Sequence, residues 1–334
     1  MTNRERFVNT LNFKPVDRLP IIEYSAWWNK TIRRWWEEGL PRSLNNAGMF
    51  HYWNLDLHHQ FMILSYDMEM SQYQLDDIDA YIRDEADYEK VLPSLYPKDL
   101  LEDNGMADDL RALKAGHDAG DFAIWFAIEG YFWWPRVLFG IEPHLFSFYD
   151  HPELYKRICS DLMDFHLRVI EEFCSILRPD FVSIYEDMSY NHGPMLSEAT
   201  FHEFIKPYYE KIIPALHKHG VKVVIDTDGD VSSLVPWFLG CGADGITPME
   251  RRAGVDAVAL RETYPQLIMC GAYDKTVMSR GEAAMRKEFE RLIPVMKSGG
   301  YLLSVDHQTP PDVSMENYAI YRRLQDEYCG KYHP

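Results

Sequence analysis

The sequence predicts an α/β protein organised as a single (β/α)8 barrel, and three observations carry that prediction. Apolar runs of strand length alternate with stretches of helical composition along the chain. Four of those runs break off into acidic or imidazole side chains, as expected where strand ends share one face. No Gly/Ser/Pro-rich linker and no short repeat divides the 334 residues, so residues 1–334 read as one domain.

The elements follow in order. After an N-terminal extension, Leu19–Tyr24 is the first strand. Residues 60–115, rich in Asp, Tyr and Met, read as an insertion with a small hairpin near Met62–Ile82 and a polar helix. Phe122–Ile128 is the next strand, and Pro152–Leu177 a long helix opened by Asp150-His-Pro. Phe181–Tyr185 leads into Glu186-Asp187. Ser197–His219 has a serine at its N-cap and Gly220 at its end, both standard helix boundaries. Val221–Ile225 runs into Asp226-Thr-Asp228-Gly-Asp230, Gly245–Met249 ends on Glu250, and Leu267–Gly271 and Tyr301–Val305 follow, the last running into Asp306-His307. That makes seven strands; an eighth is not apparent.

Composition narrows the function. A formal net charge of −18 argues against nucleic acid or an anionic membrane surface, which demand clustered Lys and Arg. The start of the chain lacks a signal-peptide core and no run reaches membrane-spanning length, so a cytoplasmic location is expected. Five scattered cysteines with no Cys-x-x-Cys pair read as reduced and mostly buried.

The candidate site follows from the strand ends. Glu186, Asp187, Asp226, Asp228 and Glu250 crowd one barrel mouth, where like charges raise one another's pKa and keep a proton available for general-acid chemistry. Glu186, Asp187, Asp228 and Glu250 are the catalytic candidates. The acids and the His307 imidazole at the strand ends also make a metal-capable pocket. Aromatic residues make up 14% of the chain. Those near strand ends, Tyr24, Trp27, Trp125 and Tyr185, are candidates to stack on a flat substrate ring, with Asn191 and His192 beside them. Each has a plainer alternative: Asp226–Asp230 as a solvated turn, Glu186-Asp187 as a loop pair, the aromatics as core or oligomer contacts, and His192 as a loop hydrogen bond.

Arg4-Glu-Arg-Phe7, then Lys14-Pro-Val-Asp-Arg-Leu-Pro20, resemble the opening of the uroporphyrinogen decarboxylase superfamily. The likeness continues through Gly193-Pro-Met195, the strand into Asp226, Gly245-Ile-Thr-Pro248, Gly271–Lys275 and Gly299-Gly-Tyr301. The resemblance spans essentially the whole chain and implies a (β/α)8 barrel with one of two chemistries, porphyrinogen decarboxylation or methyl transfer to or from a corrinoid.

The decarboxylase branch places arginines after the first strand, to pair with a polycarboxylate; this chain has Tyr24-Ser-Ala-Trp-Trp-Asn-Lys30 there, and a ring of acids would repel such a substrate. The methyltransferase branch implies zinc held by His-x-Cys and a later Cys in its thiol-methylating members. Asp226-Thr-Asp228 and the neighbourhood of Asp306-His307 occupy the matching positions, so the resemblance implies Asp226, Asp228 and His307 as the metal ligands, a harder set that suits polarising oxygen. Glu23, Glu38 and His59 form an alternative metal set, similar to a loosely spaced zinc motif of ether-cleaving members.

The expectation is therefore a cobalamin-dependent methyltransferase that O-demethylates an aryl methyl ether. The alternatives are a decarboxylase-like lyase, a methyltransferase for methanol, methylamine or a thiol, and a binding protein on the same scaffold. The cobalamin-domain motif Asp-x-His-x-x-Gly is absent, so the cofactor is expected on a separate corrinoid protein. Zinc and a homodimer remain options.

Overall fold

The computed structural model describes residues 1–66 and 82–334. Its centre is a curled, all-parallel sheet of seven strands in chain order: β1 (His58–Met62), β2 (Ala123–Glu129), β3 (Phe181–Tyr185), β6 (Lys222–Asp226), β7 (Gly245–Thr247), β8 (Ile268–Tyr273) and β9 (Tyr301–Val305). Two short antiparallel strands, β4 (Ser189–Tyr190) and β5 (Gly193–Pro194), form a separate hairpin after β3. Helices connect the parallel strands, the arrangement that buries both sheet faces. Among the described residues no helix is long and apolar enough to cross a membrane. All five cysteines are free.

Two features differ from the sequence-based expectation. The segment 19–24 is not a strand, although its backbone reaches both outer strands of the sheet. The Asp56 N–H, just before β1, donates to the Ile21 carbonyl at 2.8 Å, and the Tyr24 N–H donates to Ser304 Oγ on β9 at 3.1 Å. A side-chain acceptor on one flank and a single backbone bond on the other do not make a ladder. Conversely, His58–Met62 is a strand. Its sequence, His-His-Gln-Phe-Met, lacks an apolar run, but it pairs in register with β2 from His58↔Ala123 to Met62↔Ala127. The hairpin expected over 62–82 falls mainly on residues 67–81, outside the described residues.

The helical expectations hold with adjustments. Pro152–Ile176 starts with proline in its first turn, where the missing N–H costs nothing. The helix expected over 197–219 is two, Glu198–Phe204 and Lys206–Lys218, the second opening on Lys206-Pro207. Pro207 lacks the N–H that a continuous helix would need there. Ser197 Oγ caps the first, accepting the Thr200 N–H at 3.1 Å.

Packing falls into two layers. The larger lies between sheet and helices. The smaller fills the inside of the curl with Phe7, Leu11, Ile22, Tyr24, Trp125, Phe181, Val224, Ile268, Cys270 and Leu302 among others. Phe7, on the helix Asn3–Leu11, stacks on Trp125 and Phe181 at centroid distances of 5.8 Å each. These rings close the end where β2 and β3 begin, which leaves the opposite, C-terminal end of the strands for chemistry.

Candidate active site

Four strand ends deliver the polar groups. β3 is followed by Glu186-Asp187, β6 ends on Asp226 and leads to Asp228, β7 leads to Glu250, and β9 leads to Asp306-His307. Backbone bonds hold these exits abreast. The Glu186 N–H donates to Asp226 O at 2.7 Å, Thr227 N–H to Thr247 O at 2.8 Å, and Asp306 N–H to Tyr273 O at 2.8 Å.

The turn after β6 is fixed from two sides. The Asp230 N–H donates to Tyr190 O of the β4–β5 hairpin at 2.9 Å, and the Gly229 N–H donates to Glu250 Oε2 at 2.9 Å. Gly229 sits at φ +88°, and a Cβ there would come within 2.6 Å of the Tyr190 backbone, so this close approach requires glycine. The turn is pinned on both sides, which holds Asp228 at the strand ends with its side chain still open to a ligand.

Electrostatics at the mouth favour held protons. Burial pushes the Asp228 carboxyl up to about 7, with repulsion from Asp187 and Glu250 adding to it and Lys275 opposing. Its side chain is still 42% exposed, so a ligand can reach it, and His307 Nε2 lies 3.8 Å from its Oδ2. Burial, followed by Asp228 and Asp187, raises Asp226 well above the usual carboxylate range, while the Tyr24 hydroxyl at 3.3 Å pulls the other way. Burial also raises Asp187 against the pull of Arg136. Asp187 adopts φ +44°, a left-handed conformation uncommon for a non-glycine residue, and Arg136 donates to its carbonyl at 3.2 Å. Burial and the Lys275 charge lower His307 below the ordinary imidazole value.

Lys275 brings a cation into the cluster, 3.3 Å from Glu250 and 3.4 Å from Asp306. Asp306 is fully buried and also accepts the backbone N–H groups of Arg251 at 3.0 Å and Lys275 at 3.2 Å. Burial still raises its carboxyl to about 6. Asp306 thus anchors the exits after β7, β8 and β9 together.

A model of the uroporphyrinogen decarboxylase (URO-D) family matches residues 136–328. The chain belongs to the URO-D family. The matched residues include Glu186, Asp187, Asp226, Asp228, Glu250, Lys275 and His307, whereas Glu23, Tyr24, Trp27, Glu38, His59 and Trp125 precede them. No curated protein matches the chain significantly. Among solved structures, a methyltransferase from Methanosarcina mazei superposes with a TM-score of 0.68 at 14% identity, covering 98% of this chain and 99% of that one. A candidate vitamin-B12-independent methionine synthase from Listeria monocytogenes gives a TM-score of 0.46 at 12% identity, over 94% and 97% of the two chains. The first of these shows a shared TIM-like fold.

Several residues singled out in the sequence stand outside this cluster. Glu186 turns away from the mouth. Its carboxylate accepts the N–H groups of Tyr131, Phe132 and Trp133 at 2.9, 2.7 and 3.0 Å and the Tyr209 hydroxyl, so it caps the helix Trp133–Phe139. Burial raises it to about 7 despite those donors. Trp125 belongs to the inner aromatic plug, stacked on Phe7 and Phe181, and is fully buried. Asn191 and His192 are exposed at the tip of the β4–β5 hairpin. Tyr185 is partly buried beside Trp133, and Trp27 packs on Trp35, Phe50 and Tyr318.

The metal expectations do not fit the geometry. Among the described residues, no three His, Cys, Asp or Glu side chains are grouped to hold an ion. Asp226 is tied to Tyr24, leaving Asp228 and His307 as a pair 3.8 Å apart. In the alternative set, Glu23 accepts from Ser304 and Tyr318 at 3.0 and 2.9 Å, Glu38 accepts the Met315 N–H at 2.6 Å, and His59 lies edge-on to Phe122. Those three point to different partners.

Lys275, Asp306 and Arg136 are the site residues that the sequence-based choice left out. Lys275 and Asp306 do carry a signal, since each lies within a few residues of a predicted strand end. Arg136 carries none: it sits in the helix after β2 and reaches Asp187 only through the fold.

Proposed function

We propose that this URO-D family chain is a corrinoid-dependent methyltransferase that removes the methyl group from an aryl methyl ether and passes it to the Co(I) corrinoid of a separate protein. The carrying observation is Asp228, a 42% exposed carboxyl at the strand ends with His307 3.8 Å away, raised to about 7 by burial and the neighbouring Asp187 and Glu250. The reaction balances as aryl-O-CH3 plus Co(I) plus a proton, giving the phenol and methyl-Co(III). The O–CH3 bond breaks, its methyl carbon bonds to cobalt using the cobalt electron pair, and the proton goes to the departing oxygen.

Breaking the ether is hard because a phenolate must leave. A positioned acid with a pKa near working pH lowers that barrier. Asp228 is assigned that proton. Lys275 stabilises the ionised form left after transfer, Glu250 fixes the turn through Gly229, and Tyr24 holds Asp226. No step is routed through zinc, since the donor groups are not arranged for it.

Electrostatics weigh against a decarboxylase for a polycarboxylate. The cations acting on the carboxyls are Lys275 and Arg136, set against Asp187, Asp226, Asp228, Glu250 and Asp306. Carboxyls that hold protons here already disfavour added negative charge, and a substrate with many carboxylates would raise them further, with few cations to pair with it. The M. mazei fold match supports the methyltransferase reading by analogy.

The test is anaerobic incubation with Co(I) cobalamin and methoxyarenes, methanol, methylamines or thiols. Methylcobalamin with an equimolar phenol, from methoxyarenes alone, is the expected result. No methyl transfer from any donor, even with a corrinoid protein present, together with turnover of a carboxylate, would replace this reading by a lyase.

A further inference from the structure

A cavity of about 360 Å3 opens where the segment 19–27 parts from β1. The segment meets the chain just ahead of β1 at Asp56–Ile21, but β1 itself is laddered on β2 alone. Glu23, Tyr24, Trp27, Phe50, His58 and Gln60 are among the residues that line the gap. It is a side opening through the sheet seam, separate from the acid cluster at the strand ends.

Its walls are rings. Trp27 and Phe50 lie 5.9 Å apart, Phe50 meets His58 edge-on at 4.6 Å, and His58 is stacked on Trp125 at 4.4 Å and 22°. Burial drives the His58 imidazole down to about 4, so it presents a neutral face. The polar side chains of the lining are Glu23, Asn46, His59 and Gln60, beside the Tyr24 hydroxyl and the His58 ring. Such a mixture of aromatic faces with a few fixed polar atoms is how proteins hold small flat ligands, and the volume is at the lower end of the roughly 300–1,000 Å3 range for such sites. One substituted ring fits; a tetrapyrrole does not.

Tyr24 joins the two regions. It lines the cavity, and its hydroxyl reaches Asp226 in the acid cluster. We infer that the seam cavity is the binding site for a single uncharged aromatic ring bearing an oxygen substituent, held against the wall that Trp27, Phe50 and His58 form. Asp228 does not line the cavity, so ring binding here stands independently of the methyl-transfer reading above.

The test measures binding of 2-methoxyphenol and of cyclohexanol by calorimetry, without any corrinoid, to the wild type and to Ala47→Trp and Phe50→Leu. Ala47 lines the cavity but is exposed, so the larger side chain obstructs the opening without entering the core. The expected result is one 2-methoxyphenol per chain, at least tenfold weaker in Ala47→Trp and weaker in Phe50→Leu, with cyclohexanol binding poorly throughout. Absence of binding to the wild type, or equal affinity in all three folded proteins, overturns the inference. Methyl transfer measured on the same samples separates the two ideas. Transfer with unaltered binding in the variants removes the cavity and keeps the enzyme; ring binding blocked by Ala47→Trp with no transfer from any donor keeps the cavity and removes the enzyme.

Discussion

The Tyr24 hydroxyl donates to Asp226 Oδ2 across 3.3 Å while sharing a 2.8 Å hydrogen bond with Ser183 Oγ. A segment that forms no strand is thereby tied to the end of β6. The direction of that proton has a measurable consequence. A hydrogen bond donated to a carboxylate favours its ionised form. Tyr24→Phe is therefore expected to move the Asp226 titration further upward, read from carboxyl carbon NMR shifts, with a stability loss of about 1 kcal/mol for the missing bond. A downward shift would show that the hydroxyl accepts from a protonated Asp226 instead.

Asp228 gives the pH dependence of turnover. The active form is protonated and the group titrates near 7, so methyl transfer should fall as pH rises through that value. Asp228→Asn should lower the rate by roughly 10² to 10⁴, the usual contribution of a general acid, and should remove that limb of the profile. Initial rates on both sides of neutrality decide the matter; an unchanged alkaline limb in the Asn variant would assign the proton to another group.

Glu186 predicts a different outcome from the same kind of substitution. Its carboxylate gathers three backbone N–H groups at the start of the helix Trp133–Phe139, where the exposed donors and helix dipole favour an anion. Glu186→Gln leaves fewer acceptor lone pairs for four donors and should cost about 1–3 kcal/mol in denaturant unfolding on the alkaline side of neutrality. The rate per folded molecule should be unaltered. Gly130→Ala should be worse, since a methyl there runs into the Glu186 carboxyl group. A loss of rate without loss of stability in Glu186→Gln would return this residue to the chemistry.

The contrast between Glu186 and Asp187 shows what the sequence could reveal. Strand ends are legible because an apolar run stops, and six of the seven sheet strands overlap such runs. Adjacent acids after a strand both look like mouth residues, however, and only the backbone path decides which one turns inward: Glu186 follows the chain into the helix cap, while Asp187, at φ +44°, stays near Asp228. β1 was hidden because His58 and Gln60, inside the curl or beside the seam, make a polar strand. Trp125 is ambiguous for the opposite reason, since an aromatic residue in a strand suits a pocket wall and a core plug equally well, and the fold makes it the plug. Arg136 depends on a contact between the helix after β2 and the loop after β3, which no local pattern encodes.

Glu23 links the seam cavity to stability. Burial raises its carboxyl to about 7 even though Tyr318 and Ser304 donate to it. An unfolded chain releases that proton near the ordinary glutamate value of about 4.3, so the folded state holds more protons between the two values. Stability from this group is therefore full at low pH and declines as pH rises toward 7, with Glu186, Asp228 and Asp306 contributing in the same direction. Glu23→Gln removes one member of that set. Its melting temperature should decline less than that of the wild type between about pH 5 and pH 8, because no buried charge forms at position 23. Parallel declines in the two proteins would mean that Glu23 ionises in the folded state as readily as in water, and that the cavity is wetter than its aromatic walls imply.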